Sequence, residues 1–196
     1  MKILLINGAQ EFAHSQGKFN KTLHNVAKDT LIQLGHTVQE TIVDEGYDEN
    51  TEVEKILWAN VIIYQWPGWW MGTPWKLKRY MDEVFTAGYG QLYANDGRSS
   101  KNPTQNYGKG GLLHEHRYMI SCTWNAPAAA FEEVGNFFDG RGVDGTLLTF
   151  HKANQFLGMK PLPTFMVNDV IKNPKVDIAV CAYKDHLNNV FGSANA

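Results

Sequence analysis

Residues 3–8 of this 196-residue chain read "ILLING", four consecutive apolar residues followed by Asn-Gly. A short apolar run that ends in a turn dipeptide is typical of a β-strand buried on both faces. Apolar residues then recur at spacings of three and four from about Lys18 to Leu34, and Gly35 follows as a helix C-cap. This period predicts an amphipathic helix. The chain therefore opens as strand, loop and helix.

The same alternation continues to the end of the chain. The patterns predict strands near residues 36–43, 60–65, 117–124 and 164–168, and helices near 53–57, 74–85, 143–157 and 175–191, with a helix-like segment through Phe131 and Phe137. Neighbouring parallel strands need right-handed crossovers, so we expect a three-layer α/β sandwich with five parallel strands and helices on both faces. At this length a single domain over residues 1–196 is expected.

Composition and charge narrow the possible partners. A hydrophobic content of 43% is globular, and a net charge of -2 with scattered lysines and arginines argues against nucleic acid. The sequence shows neither a signal peptide nor a membrane-length apolar run, which predicts a cytoplasmic protein without membrane insertion. Cys122 and Cys181 are expected to be buried, reduced thiols, and only the weak His114-x-His116 pair has metal-ligand spacing, so no metal site is predicted.

Ligands of such sheets bind at the carboxyl ends of the strands. The loop after the first strand, "NGAQEFAHSQGKFN", brings His14, Ser15, Gly17 and Lys18 to the start of a helix, where backbone N–H groups and the helix dipole favour a phosphate. The loop is neither a P-loop nor G-x-G-x-x-G. A capped helix with a surface histidine is an equally good interpretation of this spacing.

The stretch after the third strand, residues 65–75, reads "QWPGWWMGTPW" and holds four of the six tryptophans. Gly68 and Gly72 allow close backbone approach, so the tryptophans could wall an aromatic ligand, although core or dimer-interface packing is as good an interpretation. We expect Trp75 in the core and leave Trp66 open between core and interface. The loop after the fourth strand, residues 123–127, is a third candidate, with Asn125 as a plain N-cap as its alternative.

Four segments carry a family resemblance: "AHSQGKFN", "QWPGWWMGTPWKLKRYMDEVF", "TWNAP" and "FHKANQFLGMKPLP". In these the chain resembles the flavodoxin-like NAD(P)H:quinone oxidoreductases, especially their bacterial modulator-of-drug-activity type, and the resemblance covers Lys2 to Phe191. It implies the strand order 2-1-3-4-5 and an FAD-binding homodimer. The implied reaction is ping-pong: hydride passes from NADPH or NADH, with NADPH favoured, through flavin N5 to a quinone. Transfer of both electrons together releases no semiquinone, which implies a role against oxidative stress.

The resemblance also implies which residues hold FAD. These are His14, Ser15, Gly17, Phe19, Asn20, Thr22, Pro67, Gly68, Trp69, Trp70, Met71, Tyr107, Thr123, Trp124, Asn125 and Ala126. Tyr107, in the long aperiodic segment 86–115, would close over the flavin. Mammalian relatives use a tyrosine and a histidine after the fourth strand, and "VGNFFDGRGVDG" has neither. The residue that stabilises the reduced flavin at N1 is therefore left open, and Tyr107 is offered as the candidate catalytic residue because it lies in a glycine-rich loop.

Two other functions remain open from the sequence. A flavodoxin-like electron carrier or regulatory flavoprotein would bind flavin without quinone turnover, but such carriers are usually strongly acidic. A flavin-free scaffold would use the tryptophans only to build a dimer. A yellow protein that releases FAD on denaturation would exclude the scaffold.

Overall fold

The computed structural model describes residues 1–13 and 15–192, and the predicted site residue His14 lies outside the described residues. The strands are β1 (Lys2–Asn7), β2 (Thr37–Ile42), β3 (Val61–Pro67), β4 (Arg117–Thr123), β5 (Lys160–Pro161) and β6 (Phe165–Val167). The helices are α1 (Lys18–Gln33), α2 (Glu49–Trp58), α3 (Trp75–Ala87), α4 (Ala129–Glu132), α5 (Gly142–Thr146), α6 (Leu148–Phe156) and α7 (Val176–Phe191), with a 3-10 turn at Val43–Glu45.

The strands form one parallel sheet in the order β2-β1-β3-β4-β5, which confirms the predicted order. The fifth position is shared, because β5 pairs with the start of β4 and β6 pairs with its end. Pro161 ends β5, and Pro163 lies between the two short strands. A proline has no N–H for a sheet ladder, so one continuous strand cannot form there.

Helices cover both faces, as predicted. One face of the sheet packs on α1 and α7 through a cluster that includes Leu5, Leu23, Met119 and Tyr183. The other face packs on α2, α3 and α6 through a larger cluster, which includes the fully buried Trp66. Burial on both faces explains why the central strands read as unbroken apolar runs.

The region after β4 departs from the predicted helices. The helix-like segment ends at Glu132, because Gly135, Asp139 and Gly140 adopt positive φ angles of 88°, 52° and 67° that an α-helix does not tolerate. The predicted helix 143–157 is broken at the buried Leu147, whose ψ of 23° separates α5 from α6.

Burial decides what the sequence left open or predicted for two tryptophans and two cysteines. Trp66 is core. Trp75 is not, because its side chain is 55% exposed while Leu77, Tyr80, Met81 and Val84 form the buried face of α3. Cys122 is buried as expected, but Cys181 is exposed on α7, which corrects the prediction of two buried thiols.

The aperiodic segment between α3 and β4 is an ordered layer at the amino edge of the sheet. Leu112 N–H donates to Leu92 O (2.9 Å), and Leu113 N–H donates to Leu157 O (2.9 Å) just before β5. Gly111 lies so close to the Leu157 backbone that a Cβ would come within 2.2 Å of it. This segment therefore stands at the edge opposite to the carboxyl ends of the strands.

No helix in residues 1–13 and 15–192 is long and apolar enough to cross a membrane. Within the same ranges no three His, Cys, Asp or Glu side chains are grouped so as to hold a metal ion.

Candidate active site

A cavity of about 520 Å³ opens at the carboxyl edge of the sheet, where the loops after β1, β3, β4 and β6 meet. The residues around it are Ser15, Gln16, Gly17, Lys18, Phe19, Asn20, Pro67, Gly68, Trp69, Thr123, Asn125, Val170 and Ile171. Lys18 is the one charged side chain in this lining among the described residues. The structure thus brings all three sequence-predicted loops to one place.

The amino end of α1 forms one wall of the cavity. Gly17 precedes the helix in a left-handed conformation, with φ of 65°, and no side chain of the described residues caps the helix. The first turn carries no carboxylate, and Lys18 adds a positive charge. Uncapped N–H groups, the helix dipole and a lysine together favour an anionic group such as phosphate at this wall.

The loop after β3 approaches the next loop unusually closely. A Cβ on Gly68 would lie 2.5 Å from the ring of Trp124, so only glycine fits. The Gly68 N–H donates to Thr123 O (2.8 Å), which joins the two loops. Trp124 is itself buried, and its Nε1 donates to the Cys122 Sγ (3.4 Å). Burial raises the pKa of the Cys122 thiol to about 12, which keeps this sulfur neutral under the loop.

Two tight turns stand beside the cavity. Trp69 and Gly72 exchange both backbone hydrogen bonds (2.9 and 3.0 Å) around Trp70 and Met71, whose φ angles are 44° and 64°. Both central residues are left-handed, as in a type I′ turn, although neither is the Asn or Gly that such a turn prefers. Trp70 is 92% exposed at the tip. A costly backbone that holds a tryptophan in solvent is typical of a functional position.

The other turn pairs Phe12 with Ser15, and its Phe12 ring meets the Trp69 ring edge-on at 5.2 Å.

Under the cavity, a buried polar network joins three elements. The Asn20 side chain of α1 donates to the Thr123 hydroxyl of β4 (3.0 Å) and accepts from the Gln65 amide of β3 (2.8 Å). All three residues are at most 4% exposed. This network holds the start of α1 against the ends of β3 and β4.

Some backbone donors at the cavity are already engaged. Gly68 N–H and Trp69 N–H serve the loop itself, and Trp124 N–H donates to Val167 O (2.8 Å). Those of Trp70, Met71, Asn125 and Ala126 meet no acceptor among the described residues. These four N–H groups therefore remain for a ligand, in addition to those at the start of α1.

The sequence matches the family model for the flavodoxin-like fold over residues 1–188. The chain belongs to the flavodoxin-like fold family. The NADPH:quinone oxidoreductase MdaB of Haemophilus influenzae is 53% identical to it over 98% of this chain and 100% of that protein. A protein of Schizosaccharomyces pombe is 99% identical over the full length of both chains. These relatives place the chain in the branch of the family that contains MdaB.

A solved flavodoxin-like structure shows the same fold with a flavin present. The general stress protein 14 of Treponema denticola, in complex with FMN, superposes with a TM-score of 0.68 at 22% identity, covering 97% of this chain and 99% of that chain. At this identity the likeness shows the fold alone.

Several predicted site residues do not line the cavity at the carboxyl edge with their side chains. Trp124 lies beneath Gly68, and the hydroxyl of the exposed Thr22 turns back to Lys18 O (3.1 Å). Ala126 O is occupied by the Asn168 amide (3.0 Å). Trp70 and Met71 stand at the turn outside the lining. Ala126, Trp70 and Met71 therefore offer a ligand their backbone N–H groups and not their side chains.

Tyr107 is also absent from the lining. Its exposed ring packs on Phe156, with centroids 5.9 Å apart, and under the Arg98 guanidinium at 5.5 Å. Phe156 ends α6 next to β5, so Tyr107 belongs to the amino edge. It therefore lies away from the cavity of its own chain, and the closure of Tyr107 over a flavin stays a prediction.

Sequence reasoning missed Val170 and Ile171, which follow β6 and line the cavity. The Asn125 side chain accepts from the backbone N–H groups of Ile171 (3.2 Å) and Lys172 (3.3 Å), so it ties the two loops together rather than capping a helix. The signal was present, because these residues also follow the carboxyl end of a strand.

Proposed function

We propose that this protein is a flavin-dependent NAD(P)H:quinone oxidoreductase, with FAD as its flavin and NADPH as its preferred donor. One observation carries the proposal. A single cavity is lined both by the uncapped N-terminus of α1 with Lys18 and by the loop after β3, where Gly68 lets the backbone approach closely beside Trp69. The first feature suits a phosphate and the second suits a flat ring system. The 53% identity to an NADPH:quinone oxidoreductase over nearly the full chain supports the same function.

The residues present fit a flavin. The N–H groups at the start of α1, with Ser15, Gly17, Phe19 and Lys18, would hold the phosphates. Pro67 to Trp69 would lie beside the ring system, and Thr123 and Asn125 would meet its other edge. Backbone N–H groups of Trp70, Met71, Asn125 and Ala126 would hold ring oxygens and nitrogens and stabilise the charge of the reduced state.

We propose FAD rather than FMN because the cavity continues past the helix end to Val170 and Ile171, which gives an adenosine group apolar surface to cover. Because the Treponema denticola protein of the same fold is in complex with FMN, the identity of the flavin needs direct measurement. Flavin released by denaturing the purified protein should run as FAD in chromatography. Release of FMN would overturn this assignment and leave the quinone reductase proposal standing.

Bound FAD supplies the two-electron carrier between nicotinamide and quinone. The balanced reaction is NADPH + H⁺ + quinone → NADP⁺ + hydroquinone. In the proposed mechanism nicotinamide and quinone use the same side of the cavity in turn, so the oxidised nucleotide would leave before the quinone enters. We therefore propose ping-pong order, delivery of both electrons together, and a physiological role against oxidative stress in the cytoplasm.

A homodimer is part of the proposal. Large apolar side chains are exposed in the segments that follow β3 and β4: Trp70 (92%), Val134 (90%), Phe137 (70%) and Leu148 (55%). A second copy would cover such a face. It is also the only route by which a Tyr107 ring could reach this cavity. Unchanged stopped-flow reduction rates in Tyr107→Phe would remove Tyr107 from the mechanism.

Steady-state kinetics with NADPH, NADH and a short-chain quinone test the activity. We expect parallel double-reciprocal lines and a sedimenting dimer at micromolar concentration. Flavin binding with no quinone-dependent oxidation of either nucleotide would favour the alternative, an electron carrier or regulatory flavoprotein. A colourless protein would favour the flavin-free scaffold.

A further inference from the structure

A second cavity, of about 260 Å³, opens at the same edge of the sheet between the turn after β2 and the first two turns of α3. Its lining includes Trp75, Lys76, Arg79 and Tyr47, together with carboxylates. None of these residues takes part in the proposed flavin site. A large aromatic ring beside two cations is an arrangement that can bind a ligand with both a flat ring and an anionic group.

The ring of Trp75 is placed for stacking. It is 55% exposed, although a tryptophan in the first turn of a packed helix could bury far more of its surface. Lys76 Nζ stands over one face of the ring, 5.7 Å from its centroid, so a flat ligand would stack on the face turned away from this cation. A purine base is a flat group that stacks on such a ring.

Arg79 is held by one nitrogen and is open at the others. Its Nε donates to Glu83 Oε1 (2.7 Å), while Tyr47 OH donates to Glu83 Oε2 (2.6 Å). The terminal guanidinium nitrogens meet no acceptor among the described residues, and the side chain is 65% exposed. A guanidinium fixed in this way presents a fork that matches a phosphate.

We propose that this cavity binds the 2′-phosphoadenosine end of NADPH, with adenine on Trp75 and the 2′-phosphate at Arg79 and Lys76. The inference rests on the proposed function, because it supplies the anchor for the hydride donor. Both cavities open at the carboxyl edge, and Leu77 of α3 lies against Gly8 at the end of β1. Two strand spacings, about 10 Å, separate β2 from β3, which a dinucleotide spans.

The carboxylates of the cavity limit its affinity. Asp44 pairs with Lys76, and Glu49 and Glu83 also line the cavity, so three carboxylates stand against two cations and the lining carries a net charge of -1. A phosphate alone must displace the Lys76–Asp44 ion pair and gains no stacking. We therefore expect inorganic phosphate not to bind measurably, and adenosine 2′,5′-bisphosphate to bind with an affinity that falls as salt rises.

Isothermal titration of the flavin-loaded protein with adenosine 2′,5′-bisphosphate tests the site without any turnover. We expect binding that exceeds that of adenosine 5′-monophosphate, and a loss of about tenfold or more in Arg79→Leu, as for a lost charge-assisted hydrogen bond. Trp75→Leu should weaken both nucleotides. Lys78→Leu is the matched control, because Lys78 is as exposed on the same helix and also pairs with a carboxylate, Asp82, but lines another cavity.

Equal affinity of the bisphosphate for wild type, Arg79→Leu and Lys78→Leu would overturn the inference. So would dissociation of the dimer by Trp75→Leu with nucleotide affinity unchanged, because the ring would then be an interface residue. Bisphosphate binding without quinone turnover would instead leave the site standing and contradict the proposed function. Quinone turnover with NADPH whose KM for NADPH is unchanged in Arg79→Leu would support the proposed function and contradict this nucleotide site.

Discussion

At the scale of single residues, the space at Gly68 decides how the candidate site is built. A Cβ there would overlap the Trp124 ring at 2.5 Å, and the buried ring cannot retreat. We predict that Gly68→Ala lowers the free energy of unfolding by about 1–3 kcal/mol, the usual cost of overpacking. It should also lower the flavin content, since the loop that would lie beside the ring must move. Urea denaturation and the flavin-to-protein absorbance ratio measure both effects.

Gly72→Ala is the matched control, because a Cβ at Gly72 meets no heavy atom within 4 Å in the same loop. Its stability should stay within about 0.5 kcal/mol of wild type. Equal effects of the two substitutions would show that the contact with Trp124 is not the cause.

At the scale of elements, the Asn20 amide joins α1 to β3 and β4. Truncation in Asn20→Ala leaves the Gln65 amide and the Thr123 hydroxyl without their partner in a buried position. We predict a loss of about 1–3 kcal/mol in the free energy of unfolding. A tenfold or larger rise in the flavin dissociation constant should accompany it, because the phosphate-binding end of α1 loses its alignment. Chemical denaturation and flavin titration of the apoprotein check the two values.

Thr22→Ala, half a turn further along α1, provides the comparison for this network. The Thr22 hydroxyl is exposed and bonds only the helix backbone at Lys18. Flavin affinity as strongly reduced in Thr22→Ala as in Asn20→Ala would contradict a role specific to the buried network.

At the scale of the whole molecule, buried and half-buried histidines set the response to mild acid. Burial lowers the pKa of His24, and its bond to the Glu40 carboxylate (2.9 Å) only partly offsets this. Burial also lowers the pKa of His36 and His186. Below pH of about 6.5 the unfolded imidazoles take up protons that the folded ones do not, so the unfolded state binds more protons. Stability should therefore fall as the pH drops from 7.5 to 5.5.

His24→Gln keeps a donor for Glu40 and removes one titrating group. Its free energy of unfolding, from urea titrations at pH 7.5, 6.5 and 5.5, should vary less with pH than that of wild type. The slope should not vanish, because His36 and His186 still contribute. Identical slopes would show that His24 carries no part of the pH dependence.

Local pattern was enough for most of the architecture and for the location of the candidate site. Unbroken apolar runs such as Ile3 to Ile6 become central strands because both faces are buried, and the spacing from Lys18 onward becomes α1. Parallel crossovers then bring the loops after β1, β3 and β4 to one edge. The sequence alone could therefore point to Ser15, Gly17, Gly68 and Thr123, which the structure brings together.

Tertiary structure alone decided which side chains face that cavity. Trp66, Trp70 and Trp75 share one short stretch, yet one is core, one stands on a strained turn and one is exposed over a second cavity. The placement of Tyr107 at the amino edge, and of Ile171 beside the cavity, depends on where distant segments end. Periodicity describes only neighbours along the chain, whereas exposure and contact depend on residues far apart in sequence, and packing settles those.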